Sequence, residues 1–302
     1  MVSKTVVETL KQFLPAENIF INEPMKKHTT FRIGGEADCF VRVENNEQLK
    51  NVQAYLQSLQ IPYYVLGNGS NLLVSDEGYR GVIIEIADKM CDIRVEGNVI
   101  VAQAGALMSK IAHVALENVL TGFEFAAGIP GTIGGGVVMN AGAYGGELKN
   151  VVTAVEVISR DGEVLLLDNA TMEFGYRTSI LKRKPFIVTE VRIQLQEGVR
   201  EDIKATMEDL AQKRREKQPL EFPSAGSTFK RPEGHFAGAL IMNAGLRGFQ
   251  VGGAQVSEKH CGFVINKGEA TAADVKALIE QVQKEVKAQF DVNLEPEVIF
   301  LE

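Results

Sequence analysis

The sequence predicts an α+β protein of more than one domain, and three observations carry that prediction. Helical spacing and short β-branched runs alternate over the first 125 or so residues, and a β-hairpin pattern follows at 154–168. The last third is again mixed, on a smaller scale, around one long amphipathic helix. At 302 residues the chain also exceeds what one core usually holds, since single cores stop growing near roughly 250–300 residues.

The elements follow in order. The opening MVSKTVVETLKQFL spaces its apolar residues as on a helix and lacks the continuous apolar run of a secretory leader. Residues 46–60 put Leu49, Val52, Leu56 and Leu59 on one helical face, and Pro62 stops the helix. YYVLG (63–67) reads as a buried strand feeding a glycine-rich turn; VIIEI (82–86) and VIVAQAG (99–105) read as further strands. Leu107, Ile111, Val114 and Ala115 mark a second helix. GIPGTIGGGVVMNAGAYGGE (128–147) is too long and glycine-rich for an ordinary connection. Its apolar Ile129, Ile133, Val137, Val138 and Met139 argue against disorder, which leaves a functional loop.

AVEVISRDGEVLLLD (154–168) has two apolar, β-branched arms about Asp161-Gly162, the form of a hairpin. FIVTEVRIQLQ (186–196) alternates at period two over its second half, and the charged run 199–217 reads as an exposed helix leading to a boundary at 200–220. Beyond it, Val275, Leu278, Ile279, Val282, Val286 and Phe290 share one face of a helix over 271–290, with Thr271 as its N-cap. The chain closes on the short apolar strand VIFLE. The tetrapeptide MNAG occurs at 139–142 and 242–245 with unlike flanks, so it is not read as a repeat.

Composition narrows the function. A formal charge of -7 argues against nucleic-acid binding. No segment approaches the ~20 apolar residues that span a bilayer. Cys39, Cys91 and Cys261 are scattered and odd in number, which fits a reducing compartment, and cytoplasmic location is expected. His28, His113, His235 and His260 do not form a metal-ligand spacing, so no metal is expected. Neither the Rossmann nor the P-loop glycine pattern occurs.

Ser227 and Lys230 in GSTFKRP make an S-x-x-K spacing, which occurs in serine acyltransferases. The partner motifs S-D-N and K-T-G are missing, and Pro232 does not fit a serine that opens a long helix. Two glycine loops offer a better lead. Gly67-Asn68-Gly69-Ser70-Asn71 follows a strand, and successive amides in such a turn can cradle phosphate oxygens. GIPGTIGGG allows close approach of a flat or pyrophosphate-bearing ligand. Each alone is as readily a tight turn; together they point to a dinucleotide held by two loops.

Six ordered motifs extend this reading: HTTFRIGGEAD (28–38), GNGSNLLVSD (67–76), AGIPGTIGGGVVMNAGAYG (127–145), FGYRTS (174–179), AGSTFKRP (225–232) and LEPEVIFL (294–301). With them the chain resembles the UDP-N-acetylenolpyruvoylglucosamine reductases, the MurB family, in its shorter type II subtype. The resemblance implies a flavin portion with the fold of vanillyl-alcohol oxidase and p-cresol methylhydroxylase, plus a smaller C-terminal α+β substrate domain. The implied boundaries are 1–80 and 81–200 for two FAD-binding subdomains and 205–295 for the substrate domain, with the strand 296–302 returning to the first.

The resemblance further implies NADPH-dependent reduction of UDP-N-acetylglucosamine-enolpyruvate to UDP-N-acetylmuramate through FAD, a step of peptidoglycan synthesis. GNGSN offers no histidine for a covalent tether, so the FAD is expected to be non-covalent. Arg177, Ser227 and Glu297 match the family's catalytic positions: Arg177 to stabilise developing charge, Ser227 to give a proton, Glu297 to hydrogen-bond an enolic oxygen. Burial beside Pro296 is expected to keep Glu297 partly protonated.

Carried over for FAD are Gly67, Asn68, Gly69, Ser70, Asn71, Gly128, Gly131, Thr132, Gly134, Asn140 and Ala141. Lys230 is the first candidate for the substrate phosphates, followed by Tyr144, Gln255, Lys259 and His260. The expected partners are the sugar nucleotide and NADPH, with the chain a monomer or weak oligomer. Two rivals stay open: a non-catalytic flavin or nucleotide-sugar binding protein, and a flavin oxidase of the same fold. Intact Arg177, Ser227 and Glu297 argue against the first.

Overall fold

The computed structural model describes residues 2–302. Helix α1 (Lys4–Leu10) starts where the Ser3 side chain accepts from the Val6 amide. Strands β1 (Ile19–Pro24) and β2 (Glu36–Arg42) follow, then α2 (Asn46–Ser58), whose N-cap Asn45 accepts from the Gln48 amide. Helix α2 buries Leu49, Val52 and Leu56. Leu59, placed on the same face by its spacing, lies past the helix end as C-cap and is 49% exposed. Next come β3 (Tyr63–Leu66), β4 (Leu72–Val74) and β5 (Tyr79–Glu85). A four-stranded sheet has the order β1-β2-β5-β3, with Tyr63 opposite Val82 and Leu66 opposite Glu85 in the parallel β3–β5 pair.

The middle of the chain supplies β6 (Ile93–Glu96), β7 (Val99–Gln103), α3 (Met108–Glu117), α4 (Ile133–Met139), β8 (Val152–Ile158), β9 (Val164–Asp168) and β10 (Ile187–Gln194). These strands form a five-stranded antiparallel sheet of order β9-β8-β10-β7-β6. The β8–β9 hairpin turns at Asp161-Gly162, where Gly162 takes φ +81, a value that a side chain would strain. Helix α4 lies inside the segment read from sequence as a loop. Its glycines disfavour a helix, but Thr132 caps it and Asn140 ends it in the left-handed region.

The last third begins with α5 (Arg200–Lys217), which buries only Ile203 and Met207 of its 18 residues, as its charge predicts. Then come α6 (Ala237–Asn243), a three-stranded antiparallel sheet of β11 (Gln250–Val251), β12 (Ala254–Val256) and β13 (Val264–Asn266), and α7 (Ala272–Phe290). Helix α7 buries Val275, Leu278, Ile279, Val282 and Val286; Phe290, at its final position, is 36% exposed. The closing strand β14 (Ile299–Leu301) pairs in parallel with β4, Ile299 opposite Leu72.

The chain divides into two compact units. The first comprises the N-terminal stretch to Ile21, Cys39–Asn68 and Gly81–Lys213; the second comprises Asn22–Asp38, Gly69–Arg80 and Arg214–Glu302. Each has its own core. Phe40 aside, the first gathers Leu10, Leu49, Ile84, Ile100, Phe123 and Val191, and the second gathers Phe31, Leu73, Ile241, Val275 and Leu278. Burying each such side chain contributes about 1.5–3 kcal/mol, so these clusters dominate stability. Cys39 and Cys261 are buried and Cys91 half-buried, and none of the three is in a disulfide.

Two local devices give stability predictions. Thr271 and Asp274 form a capping box at α7: each side chain accepts from the other's backbone N–H at 3.0 Å, and Asp274 also accepts from Gly253 at 3.2 Å. Thr271→Ala is expected to lower stability by about 1 kcal/mol, read as a lower urea midpoint at unchanged slope; an unmoved midpoint would show the box to be idle. Gly69 sits at φ +57, and a Cβ there would come 2.0 Å from the His28 carbonyl oxygen. Gly69→Ala is expected to cost on the order of 3 kcal/mol, and a wild-type unfolding curve would contradict that crowding.

Candidate active site

The two glycine loops meet in the first unit. Gly67 and Asn68 leave β3, and the Asn68 side-chain amide donates to the Pro130 carbonyl at 2.6 Å. A Cβ on Gly67 would lie 2.4 Å from the Thr132 hydroxyl, so the absent side chain is what lets the loops touch. Thr132 accepts from Gly135 N–H at 3.4 Å. The first amides of α4 are used internally: Ile133 donates to Ala106 at 2.8 Å and Gly134 to Ala104 at 2.9 Å. Gly134 is needed for that approach, since a Cβ would come 2.9 Å from the Ala104 Cβ.

These residues fit a pyrophosphate-bearing flat cofactor such as FAD. Asn68, Gly128 and Pro130 form an exposed rim. The Asn68 and Thr132 side chains are turned to protein partners. Neither 67–71 nor 128–134 contains an acidic residue, so a pyrophosphate meets no fixed negative charge from these loops.

Just beyond α4 the chain builds the setting of Arg177. Asn140 is fully buried at φ +45. Its Nδ2 donates to Glu147 Oε2 and to the Gly175 carbonyl, each at 3.0 Å, and its Oδ1 accepts from Lys149 N–H at 2.9 Å. Gly175 and Thr178 exchange backbone hydrogen bonds around Tyr176 and Arg177, closing a tight turn in which Arg177 takes φ +53. The half-buried guanidinium donates to the Gly142 carbonyl at 3.3 Å and stands 5.2 Å from the centre of the Tyr176 ring. The Lys149 ammonium, then the Asn140 amide and the charge of Arg177, hold the Glu147 carboxyl below its usual range against the opposing effect of burial. Tyr144 is exposed, at φ +51, in the turn between the paired strands Gly142–Ala143 and Gly146–Glu147.

In the second unit the segment carrying Ser227 pairs antiparallel with the segment carrying Glu297. Phe229 bridges Pro296, Glu297 N–H donates to the Thr228 carbonyl at 2.8 Å, and Lys230 N–H donates to the Glu295 carbonyl at 2.9 Å. Ser227 is exposed and Glu297 half-buried, on two segments joined by an isolated bridge, with Glu297 opposite Thr228 and one residue out of line with Ser227. Thr228 anchors the pair: its N–H donates to Gly262 and its hydroxyl accepts from Val264 N–H, both at 2.8 Å. The S-x-x-K residues thus lie on extended, paired chain, not on a helix.

The first loop joins this frame. Asn71 Nδ2 donates to the Glu297 carbonyl, and Ile299 N–H donates to the Asn71 carbonyl, each at 3.0 Å. Thr30 braces the same region, its hydroxyl donating to the Ser224 carbonyl at 2.7 Å and its N–H to Gly69 at 3.2 Å. Thr30 and Glu147 were missed as candidates from the sequence. Each stands in a motif quoted for the resemblance or one residue-pair past it, so the motifs themselves held the signal.

The substrate candidates fall in both units. Tyr144 is in the first; Lys230, Gln255, Lys259 and His260 are in the second. Lys230 Nζ pairs with Glu295 at 2.9 Å. Lys259 Nζ donates to the Arg215 carbonyl at 2.7 Å. His260 Nδ1 accepts from Gly262 N–H at 3.1 Å and its ring meets Phe263 edge-on at 5.0 Å; burial pushes its pKa down. Gln255 is buried, and its Nε2 donates to the Gly248 carbonyl at 3.2 Å. Its Oε1 has no hydrogen-bond partner among the described residues.

Comparison with known proteins gives the same picture. Residues 218–301 match the UDP-N-acetylenolpyruvoylglucosamine reductase C-terminal domain and residues 37–168 match the FAD binding domain. The chain is 53% identical over 296 residues to the UDP-N-acetylenolpyruvoylglucosamine reductase of Caldanaerobacter subterraneus subsp. tengcongensis, covering 98% of each. It is 50% identical over 301 residues to that of Clostridioides difficile, covering 100% of this chain and 99% of the relative. The crystal structure of the Thermus caldophilus enzyme (MurB) superposes at TM-score 0.81 and 37% identity over 93% of this chain and 98% of that one. Alkyldihydroxyacetonephosphate synthase shares fold alone, at TM-score 0.50 and 16% identity over 65% of this chain and 41% of its own. A match this close over essentially the whole length means that the chain belongs to the UDP-N-acetylenolpyruvoylglucosamine reductase family.

Proposed function

We propose that this chain reduces the enolpyruvyl group of UDP-N-acetylglucosamine-enolpyruvate to UDP-N-acetylmuramate, with NADPH as reductant and non-covalent FAD as carrier. The reaction serves peptidoglycan synthesis in the cytoplasm, and the working form is a monomer or weak oligomer. The observation that carries the reading is the whole-length identity of about half to reductases of that name.

Bound FAD, once reduced by NADPH, supplies the hydride that goes to the terminal vinyl carbon of the substrate. The chain must hold the substrate, stabilise the charge that builds on the carboxylate, and deliver a proton to the carbon beside it. Arg177 takes the carboxylate: a guanidinium forks onto it and stays charged throughout. Ser227 gives the proton. A hydroxyl is a weak acid, but an enolate carbon is a strong base, and the exposed Ser227 side chain leaves room for a substrate. Glu297, on the bridged segment, hydrogen-bonds the enolic oxygen.

Lys230 meets the diphosphate by exchanging its partner Glu295, which is exposed and lightly held. Gln255 Oε1 takes a substrate N–H or O–H; leaving such a buried acceptor unpaired costs about 1–3 kcal/mol, which a bound donor recovers. Tyr144, Lys259 and His260 are outer contacts. For FAD, the main chain of Gly67, Asn68, Gly69, Ser70, Gly128, Gly131, Thr132 and Ala141 forms the cradle. Gly134 and Asn71 shape it through the internal bonds their amides make.

Purified protein should show flavin absorbance and, without oxygen, oxidise NADPH beyond one flavin equivalent only when the enolpyruvyl sugar nucleotide is added. Turnover that needs oxygen and ignores the sugar nucleotide would mark a flavin oxidase and sink the reading. Ser227→Ala should leave flavin reduction by NADPH intact and slow substrate reduction by about 10²–10⁴-fold; undiminished turnover would remove Ser227 from the proton-donor role. Arg177→Lys keeps the charge and loses the fork. It should slow the same step by about 10²–10³-fold, measured by anaerobic stopped flow on pre-reduced enzyme, and an unaffected rate would dismiss Arg177.

A further inference from the structure

We propose that Asn140 is the positioning residue of Arg177, a buried amide that aims the guanidinium, and that its side chain is not a ligand of the flavin. The proposal rests on the role given to Arg177 above.

The side chain has no donor left to offer a cofactor, and it is closed off from the surface. Both of its N–H donors are engaged, by Glu147 Oε2 and by the Gly175 carbonyl at 3.0 Å, and its oxygen accepts from Lys149 at 2.9 Å. The residue has no exposed surface. Two of the three partners, Gly175 and Glu147, adjoin Arg177. Gly175 begins the turn that presents it, since the Gly175 carbonyl also accepts from Thr178 N–H at 3.3 Å. Glu147 places a carboxylate whose interaction with Arg177 is electrostatic. Two residues past Asn140, the Gly142 carbonyl accepts from the guanidinium itself at 3.3 Å.

A second strap runs from the other end of the turn. The buried Ser179 hydroxyl donates to the Val138 carbonyl at 2.9 Å. Both stems of the turn are therefore fastened to the last residues of α4, at Val138 and at Asn140. The turn needs such fastening because Arg177, a side-chain-bearing residue, is held at φ +53. The residue type at 140 is narrowly limited as well. Aspartate would lose both donors and face the Glu147 carboxylate. Alanine would lose every bond and strain φ +45, whereas glycine would lose the bonds and keep the backbone.

Asn140→Gly therefore isolates the side chain. Misplacing a reacting group by about 1 Å can cost about 10²-fold. Three readouts are expected: substrate reduction by pre-reduced enzyme slowed about 10–100-fold, flavin reduction by NADPH unchanged, and FAD affinity of the apoprotein, by fluorescence titration, within twofold of wild type. On an Arg177→Lys background the same change should add less than about threefold, as expected of residues acting as one unit. A loss of FAD affinity with substrate reduction intact would make Asn140 a flavin ligand and overturn the proposal. So would a lower melting temperature with no rate change, or effects that multiply in the double variant. If Asn140→Gly does not fold, Ser179→Ala cuts the other strap; it should slow the same step alone, and an unaffected rate overturns the proposal. An Arg177→Lys enzyme with normal substrate reduction would instead defeat the reading of Arg177, and this inference with it.

Discussion

The hydrogen bond from the Glu297 amide to the Thr228 carbonyl, 2.8 Å long, is the constraint on which the acid side of the site depends. It sets the register of two segments far apart in sequence. It fixes which residues face each other: Glu297 lies opposite Thr228, with Ser227 the next residue along the bridged segment. The register is held on both sides. Lys230 repeats the pairing with Glu295, and Thr228 is fixed from behind by Gly262 and Val264. The expected cofactor loop joins on the remaining side, through Asn71 to the Glu297 carbonyl.

The glycine loops follow a different economy. Their polar side chains are used to hold the loops in shape, as Asn68 does with Pro130 and Thr132 with Gly135. A turn of successive backbone N–H groups can bind an anion without net charge, so the absence of basic residues from 67–71 and 128–134 is compatible with the proposed cradle. Close packing explains the glycines at 67 and 69, where any Cβ would collide with the Thr132 hydroxyl or the His28 carbonyl.

Legibility in the sequence followed the range of the interactions. Helices α2, α5 and α7 are set by periodicity and caps, which are local, and they were read nearly to their ends. The one miss, Leu59, lies past the end of its helix, whereas Phe290 is the last residue of α7, as read, and is partly exposed there. Helix α4 escaped because seven residues with three successive glycines show no period; carbonyls of Ala104 and Ala106, distant in sequence, complete its first turn. Strand β1 escaped for a similar reason: its burial does not alternate and it ends on Pro24. In the site, residue types were visible through the motifs, but partners were not. Nothing local in GNGSN says that Asn71 turns toward the chain's last strand, and nothing in MNAG says that Asn140 braces a turn at Gly175.

The backbone around Arg177 shows why such bracing exists. Asn140, Tyr144 and Arg177 all take positive φ with side chains attached. For an L-residue this costs roughly 1–2 kcal/mol, and asparagine is the one of the three suited to it. Glycine at 177 would relieve the strain and remove the guanidinium, so the strain must be offset by bonds elsewhere. The bonds that do so include those of Asn140 and Ser179, one on each stem of the turn and each worth about 0.5–1.5 kcal/mol net, beside the exchange between Gly175 and Thr178 and the guanidinium bond to Gly142. Removing either strap should then loosen Arg177 first, because the strained turn is the segment each strap holds directly.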